Sequence, residues 1–318
     1  MFASGKSHRT PRPVSERGGE RGVALIMVLW VLALLSVLAV GFANDARTEL
    51  LIVRNQIEAA RARAVAEAGI SLAILELTQV SPELRWIADG REHVLAYGES
   101  RIRVSVQDEA GKIDINQAPD ELLDGLFRSV GVDFDSASRL VDAIVDWKDP
   151  DDLRRLAGAE AADYRAAGLP YAPRNGPFLT VDELRLVLGM TPALFARIRP
   201  FVTVHSRSAR INPLTAPAEV IRSLPGLMLE QADLYVAMRA ELEMPQASML
   251  PALLGAERYL APLSPQTFTI RSQGDTARGG SFIREAVVAL TRTPAAPYRL
   301  LEWRQGHIDI EQSAGATR

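Results

Sequence analysis

The 318-residue sequence contains no cysteine and only four histidines. Without cysteine the chain can form no disulfide bond, thiolate metal site or cysteine nucleophile, so its fold is independent of the redox state of its compartment. The four histidines include no pair at helical spacing, which argues against a zinc site. They are His8, His93, His205 and His307.

Motifs typical of enzymes and of nucleic-acid binding are also absent. The chain has no Gly-x-Ser-x-Gly elbow, phosphate-binding loop or dinucleotide-binding fingerprint. Its formal net charge of −3 gives no basic excess of the kind that phosphate-binding domains carry. We therefore predict that the protein is not an enzyme and that it binds neither nucleic acid nor a small-molecule substrate.

The apolar residues are concentrated near the N-terminus. Residues 1–22 form a basic leader without apolar periodicity, and residues 23–43 contain no charge. At about 1.5 Å per residue this uncharged run spans roughly the 30 Å of a bilayer's hydrocarbon. The basic leader is then expected on the cytoplasmic side.

The helical pattern continues beyond the uncharged run, as far as Gln79. Apolar residues recur there at spacings of three and four, which predicts one helix, first in lipid and then half-buried on a folded domain. Two alternatives remain open: a simple anchor followed by a coiled linker, and a cleaved export signal ending at residues 41–43. The recurring positions are Ile57, Ala60, Ala64, Ala68, Leu72 and Leu75.

Four later segments predict strands. Residues 100–108 alternate apolar and polar side chains, and residues 267–272, 282–290 and 298–303 are separated by turn sequences. Between the first strand and the last three lies a helical stretch of about 150 residues, long enough for a domain of its own.

The helical stretch contains a repeat. The sequences beginning at Lys112 and Ser208 both give isoleucine-asparagine, then alanine-proline, then an acidic residue at a helix start. Thr180 and Glu183 are spaced as a capping box for another helix, expected to end at Gly189.

Residues 224–239 are similar to the hairpin of helix-hairpin-helix modules, which often bind DNA backbone. This leaves a membrane-tethered helix-hairpin-helix DNA-binding module as the alternative function. Glu230 and Asp233 border the hairpin where such modules place lysine.

Arg21-Gly22 followed by "VALIMVLW" resembles the prepilin type III signal. The resemblance implies that a prepilin peptidase cuts after Gly22, that the helix from Val23 is kept, and that the new N-terminus is methylated. Most pilins carry a glutamate at the fifth mature position, but here that residue is Met27. This departure resembles the minor pseudopilin K of type II secretion, of the general secretion pathway protein K family.

The resemblance implies an α+β pseudopilin fold, with a long N-terminal helix, a small antiparallel sheet and a large inserted all-α domain of helical hairpins. The implied boundaries are a cleaved leader, a transmembrane half-helix, a periplasmic helix with the first strand, the insertion, and the C-terminal strands. They fall at residues 1–22, 23–43, 44–110, 111–262 and 263–318.

An acidic stretch over residues 142–184 also resembles the K family, whose members bind calcium there. Oxygen ligands gathered in one loop suit this hard cation, and the spacing excludes an EF-hand. An ordinary solvated acidic loop remains the alternative. The residues expected to hold Ca²⁺ are Asp149, Asp151, Glu160, Asp163 and Asn175.

The function implied by the resemblance is that of a minor pseudopilin at the tip of the type II secretion pseudopilus, supporting protein export across the outer membrane. Expected partners are other minor pseudopilins of the I and J types, the prepilin peptidase and the inner-membrane secretion platform. The expected location is the bacterial inner membrane, as a single-pass protein with its C-terminal domain in the periplasm.

Overall fold

The computed structural model describes residues 20–79, 81, 85–264, 266–291, 293 and 295–306, with side chains from Val23 onward. The chain divides into two compact units, Met1–Ile57 and Glu58–Arg318. The expected leader, residues 1–22, lies outside the described residues except for the backbone of its last three.

Helix α1 (Glu20–Leu77) is continuous through both the uncharged run and the amphipathic stretch after it. Within the first unit its apolar side chains are exposed, including Val23, Met27 and Trp30. In the described part of the chain this is the one helix long and apolar enough to cross a membrane. The prediction of a single helix through Gln79 is confirmed to within two residues.

The second unit contains a five-stranded antiparallel sheet in the order β1-β2-β5-β6-β7. The predicted strand at residues 100–108 is confirmed with the same bounds. The predicted strands at residues 267–272, 282–290 and 298–303 are confirmed, and each is slightly longer than expected. The strands are β1 (Asp89–Tyr97), β2 (Ser100–Asp108), β5 (Thr267–Asp275), β6 (Ser281–Leu290) and β7 (Tyr298–Gln305).

Strand β1 was not predicted. It lies at the edge of the sheet, pairs with β2 alone, and alternates half-buried with exposed side chains such as Arg91 and Glu92. An edge strand that buries little apolar surface has no strong alternating pattern, so its sequence gives no local signal.

One sheet face packs against the end of α1. The inward side chains of β2 and β5, including Ile102, Val104 and Ile270, form a core with Val65 and Ile70 of the helix. The helix and sheet approach closely at Gly274, where a Cβ atom would lie 2.5 Å from the backbone oxygen of Ala62.

The predicted inward face of the helix is wrong: Ile57, Ala60, Ala64 and Leu75 are exposed, and Ala68 and Leu72 are only half-buried. The sheet instead covers the face that carries Ala62, Val65, Ala66, Ile70, Ala73 and Leu77. Small alanines recur on several sides of this helix, so their spacing does not single out the face that the sheet covers.

The stretch between β2 and β5 has a hydrophobic core of its own. It contains short helices joined by glycine turns at positive φ, such as Gly131 and Gly226. The helices are α2 (Asp120–Ser129), α3 (Phe134–Lys148), α4 (Ala161–Ala166), α5 (Pro192–Ile198), α6 (Ala218–Arg222) and α7 (Leu229–Ala240).

The prediction that this stretch is all-α is wrong. Strands β3 (Ile113–Asp114) and β4 (Val202–Thr203) form a parallel pair inside it. All four residues are buried, so their backbone groups need partners within the protein, and the Ile115 amide donates to the Thr203 carbonyl at 2.9 Å. Strands of two residues are too short for an alternation of apolar and polar side chains to be recognised in the sequence.

The repeated isoleucine-asparagine pairs have matching structural roles. The Asn116 side chain accepts from the Phe178 amide and donates to the Phe178 carbonyl, at 2.8 and 2.9 Å. The Asn212 side chain donates to Asp108 and to the Leu263 carbonyl, both at 3.2 Å. Each asparagine therefore fixes a distant loop to the start of its repeat.

Two predicted helix starts differ in detail. The repeated prolines, Pro119 and Pro217, lie at the N-caps of α2 and α6 and not in the first turn. The capping box at Thr180 is wrong, because Thr180 makes no side-chain cap to the 3-10 helix Val181–Leu186. The Glu183 carboxylate instead accepts from the Leu179 amide at 3.0 Å, one residue earlier than a capping box requires.

Candidate functional site

The acidic loop follows α3, which presents Asp142 and Asp146 one turn apart on the same side. The Asp142 carboxylate accepts from the Ala157 amide at 3.0 Å and pairs with Arg155 at 3.2 Å. Asp146 is fully buried and accepts from the Arg155 amide at 3.2 Å. These contacts fold the loop back onto the helix that precedes it.

Gly158 allows the closest approach in this loop. A Cβ atom there would lie 2.0 Å from Oδ2 of Asp146. Only glycine therefore fits beside this carboxylate. Burial, followed by the neighbouring charge of Asp142, raises the pKa of Asp146.

Two of the predicted ligand residues have buried carboxylate oxygens without a hydrogen-bond partner. These atoms are Oδ1 of Asp149 and both carboxylate oxygens of Glu160. Burial raises the pKa of Glu160, and the charges of Asp146, Asp149 and Asp152 raise it further. The pKa of Asp149 is raised by burial and then by Asp151 and Asp146. Buried acceptors that repel one another are costly unless a cation neutralises them.

The other three predicted ligands have partners. Asp163 accepts from the Glu160 amide at 2.9 Å and pairs with Arg154 at 3.0 Å, and both contacts lower its pKa. Asp151 accepts from the Leu153 amide at 2.8 Å. Asn175, at φ 51°, donates to Asp152 at 2.9 Å.

In the part of the chain that the structure describes, no three acidic or histidine side chains are arranged to hold a metal ion. The chemistry of the loop nevertheless fits a hard cation. Its free acceptors are carboxylate oxygens. The pKa values of Asp149 and Glu160 are raised first by burial and then by repulsion from neighbouring carboxylates, and a bound divalent cation would relieve that repulsion.

The wall behind the loop is aromatic. Trp147, the residue after Asp146, stacks on Phe178 with ring centroids 6.0 Å apart and lies 6.0 Å from Tyr164. The buried Tyr164 hydroxyl accepts from the Leu188 amide at 2.9 Å, and burial raises its pKa to about 12. This packing fixes the end of α3 from which the acidic side chains project.

The predicted processing site lies at the start of α1. The backbone is helical from Glu20 across Gly22 and Val23, and the Val23 and Met27 side chains are exposed. No carboxylate lies between Gly22 and Ala43, so Met27 has no acidic neighbour that could serve in its place.

The predicted DNA-binding hairpin, residues 224–239, corresponds to α7 and the turn that joins it to α6. A Cβ atom at Gly226 in that turn would lie 2.9 Å from the carbonyl oxygen of Gly255. The turn is therefore packed against a neighbouring loop. Asp233 on α7 pairs with Arg222 at 2.7 Å, so the hairpin offers no lysine-flanked amides to a phosphate.

A model of the family described as type II secretion system (T2SS), protein K, matches residues 103–207. The type II secretion system protein K of Aeromonas hydrophila is 26% identical over 269 residues, covering 76% of this chain and 81% of that protein. The protein of the same name from Pectobacterium carotovorum subsp. carotovorum is 27% identical over 287 residues, covering 79% of this chain and 88% of that protein. The chain is therefore similar to type II secretion system protein K over most of its length.

A similar fold is also found among solved structures. The crystal structure of the GspK-GspI-GspJ complex from the enterotoxigenic Escherichia coli type 2 secretion system contains a chain with a TM-score of 0.55 and 18% sequence identity. The match covers 83% of this chain and 100% of that chain. It shows that the two share the long N-terminal helix, the antiparallel sheet and further helices.

These similarities to type II secretion system protein K are consistent with a structural role and name no enzymatic activity. Its long apolar helix α1 fits a single-pass membrane anchor.

Two acidic residues of this loop were missed by the sequence prediction. Asp146 and Asp152 both raise the pKa of Glu160, yet neither was among the expected ligands. Asp146 precedes Asp149 by three residues at the end of a helix, and that spacing places both side chains near one another. The spacing was the available signal for Asp146, whereas Asp152 is linked to the site only through tertiary contacts.

Proposed function

We propose that this protein, which is similar to type II secretion system protein K, is a minor pseudopilin that occupies the tip of the type II secretion pseudopilus and supports export across the outer membrane. The observation that carries the proposal is Met27, at the fifth position counted from Val23, inside an uncharged and exposed helical run. A charged N-terminus buried in a bundle of apolar helices needs a carboxylate on its neighbour. A subunit without this carboxylate serves where no subunit docks ahead of it.

The second feature that supports the tip position is the separate helical core between β2 and β5. This bulk is added to a domain that already has the helix and sheet of a pilin subunit. A large addition of this kind favours a subunit that begins or ends a filament over one that repeats along it.

The proposed maturation begins with a cut by prepilin peptidase after Gly22, followed by methylation of Val23. Helix α1 then stays in the inner membrane and the domain from β1 onward lies in the periplasm. The proposed partners are minor pseudopilins of the I and J types, as named in the complex of similar fold, together with the inner-membrane platform. Mass spectrometry of the mature N-terminus tests the first step, and an intact leader or a cut after Ala43 would contradict it.

The tip position is tested by counting the protein along purified pseudopili with gold-labelled antibody. We expect label at one end of each filament, and an even distribution would refute the proposal. The Met27→Glu variant supplies the missing carboxylate, so we expect it to appear along the filament length. Met27→Gln, which adds polarity without charge, is the matched control and should remain at the end.

We further propose that the acidic loop binds Ca²⁺. Asp149 and Glu160 would provide the free carboxylate oxygens, with Asp146 and Asp152 contributing the surrounding negative charge. Asp151, Asp163 and Asn175 are available as ligands only if their present hydrogen bonds open. The cation would supply charge neutralisation and tie the loop to the end of α3.

Isothermal titration calorimetry of the full-length protein with calcium chloride tests this second proposal. We expect saturable binding that Glu160→Gln weakens strongly and Asp135→Asn, an exposed change in the first turn of α3, leaves intact. Equal binding by both variants would place any calcium elsewhere.

A further inference from the structure

Helix α7 and the loop after it expose an unusual density of large apolar side chains. Seven of them, between 41% and 67% exposed, fall within residues 228–254, and four are methionines out of seven in the whole chain. Single exposed apolar residues are ordinary, but a concentration of them indicates an interaction site. We call this set the methionine-rich surface: Met228, Leu229, Leu234, Met238, Met244, Met249 and Leu254.

The outward face of α7 is more apolar than a surface helix requires. Its inward face buries Arg239, whose guanidinium donates to the Pro213 carbonyl at 2.6 Å. Its outward face presents Leu234 and Met238, four residues apart and therefore on one side of the helix. A helix that is apolar on the side away from its own core has a second surface to bury.

Within residues 228–254 the exposed charges have one sign, and Arg222, outside this range, pairs with one of them, Asp233, at 2.7 Å. Between Met228 and Leu254, all described, every exposed charged residue is acidic: Glu230, Asp233, Glu241 and Glu243. Acidic side chains repel the anionic headgroups of a membrane surface, which attracts basic segments. The same charges complement a basic partner.

We propose that the methionine-rich surface binds a basic amphipathic helix of a partner protein. Methionine is unbranched and polarisable, so it adapts to the apolar face of helices with different sequences. The surrounding carboxylates would pair with lysine or arginine at the edges of the apolar face. This inference concerns a partner class and does not depend on the position of the protein within a filament.

Methyl NMR of the full-length protein in neutral-lipid nanodiscs, labelled with ¹³C at methionine methyl groups, tests the inference. The probe is a synthetic helical peptide with leucine on one face and lysine on the other. We expect shifts at Met228, Met238, Met244 and Met249, with Met190, only 8% exposed, as the unmoved internal reference. A matched peptide with glutamate in place of lysine should cause no shift.

A pair of variants separates this surface from exposed apolar residues in general. The double substitution Leu234→Gln and Met238→Gln should weaken peptide binding on the order of tenfold. The control, Leu153→Gln with Leu156→Gln, changes leucines that are 77% and 99% exposed in the acidic loop and should leave binding intact.

The proposal is overturned if the lysine peptide shifts none of the four methyl groups, or if the glutamate peptide shifts them equally. The proposal is also overturned if both double variants weaken peptide binding equally, or if Leu234→Gln with Met238→Gln leaves peptide binding unchanged. Binding to anionic vesicles as tight as binding to the peptide would assign the surface to lipid.

Discussion

At the scale of single residues, Gly158 is the position where the acidic loop has least room. A Cβ atom would overlap Oδ2 of the buried Asp146 at 2.0 Å, and that carboxylate is itself held by the Arg155 amide. Gly158→Ala should therefore lower the free energy of unfolding by about 1–3 kcal/mol, the usual cost of overpacking. Urea unfolding measures the effect.

The matched control is Gly176→Ala in the same stretch of chain. The nearest atom to a Cβ atom there is Nε of Arg174, 4.0 Å away, so we expect little change in stability. Equal losses in the two variants would mean that the approach to Asp146 is not what requires glycine.

Glu160 should make stability depend on pH in the direction opposite to an ordinary paired carboxylate. Its folded-state pKa is raised from 4.5, so the folded protein binds the proton more tightly than the unfolded chain. Stability is then lost as pH rises from about 4.5 through the raised pKa, because the charged form is disfavoured in the fold. In chelator, Glu160→Gln should stabilise the protein at pH 7 and give no gain at pH 4.

Asp163→Asn is the control for this pH dependence because the pKa of Asp163 is lowered, first by the Glu160 amide and then by Arg154. Asp163 contributes stability above its ordinary pKa of 3.8, and that contribution is lost as pH falls. Asp163→Asn should therefore destabilise at pH 7. Thermal unfolding across the pH range measures both variants, and the same sign for both would contradict the assignment.

At the scale of elements, the fold depends on how closely α1 approaches the sheet. Gly274 of β5 lies against the helix backbone. A Cβ atom there would clash with the helix, at 2.5 Å from both the backbone oxygen of Ala62 and the backbone nitrogen of Ala66. Backbone atoms of a helix cannot move aside as a flexible side chain does. Gly274→Ala should therefore cost at least about 1–3 kcal/mol in urea unfolding.

The outcome that would contradict this prediction is a stability equal to that of Gly176→Ala. In that case α1 would have to shift along the sheet without loss of stability, which the shared core that contains Ile70 and Ile102 opposes.

At the scale of the whole molecule, a buried ion pair joins the sheet to the helical stretch. The Lys112 ammonium donates to Glu109 at 2.6 Å, and Glu109 also accepts from Thr203 of β4 and Thr269 of β5. Burial opposes ionisation of Glu109, but the charge of Lys112 and these hydrogen bonds outweigh it and lower the pKa. The pair therefore links elements from both cores.

Lys112→Met should destabilise the protein by about 3–5 kcal/mol, because it leaves Glu109 charged and buried without a cation. Adding Glu109→Gln should recover part of that loss. Arg258→Met, which removes an exposed partner 3.8 Å from Glu121, should cost less than about 1 kcal/mol. Denaturant unfolding of the wild type, Lys112→Met, the double variant Lys112→Met with Glu109→Gln, and Arg258→Met checks this order of stabilities.

Much of this fold could be predicted from local sequence. The uncharged run before Asp45 predicts the apolar helix because burial in lipid requires it, and the alternation around Val104 predicts a half-buried strand. The acidic stretch between Asp142 and Asp163 also stands out by composition. Each of these signals depends only on residues that are close in sequence, whose spacing reflects the period of the element that they form.

Only the tertiary structure decided the features that depend on contacts distant in sequence. Strand β1 exists because β2 offers it an edge, and β3 pairs with β4 because both are buried. The free oxygens of Glu160 could not be told from the paired oxygens of Asp163 by sequence, because desolvation and hydrogen bonding depend on the surroundings. The sequence thus determines periodic elements, while the fold determines which polar groups lose their water and with what partners.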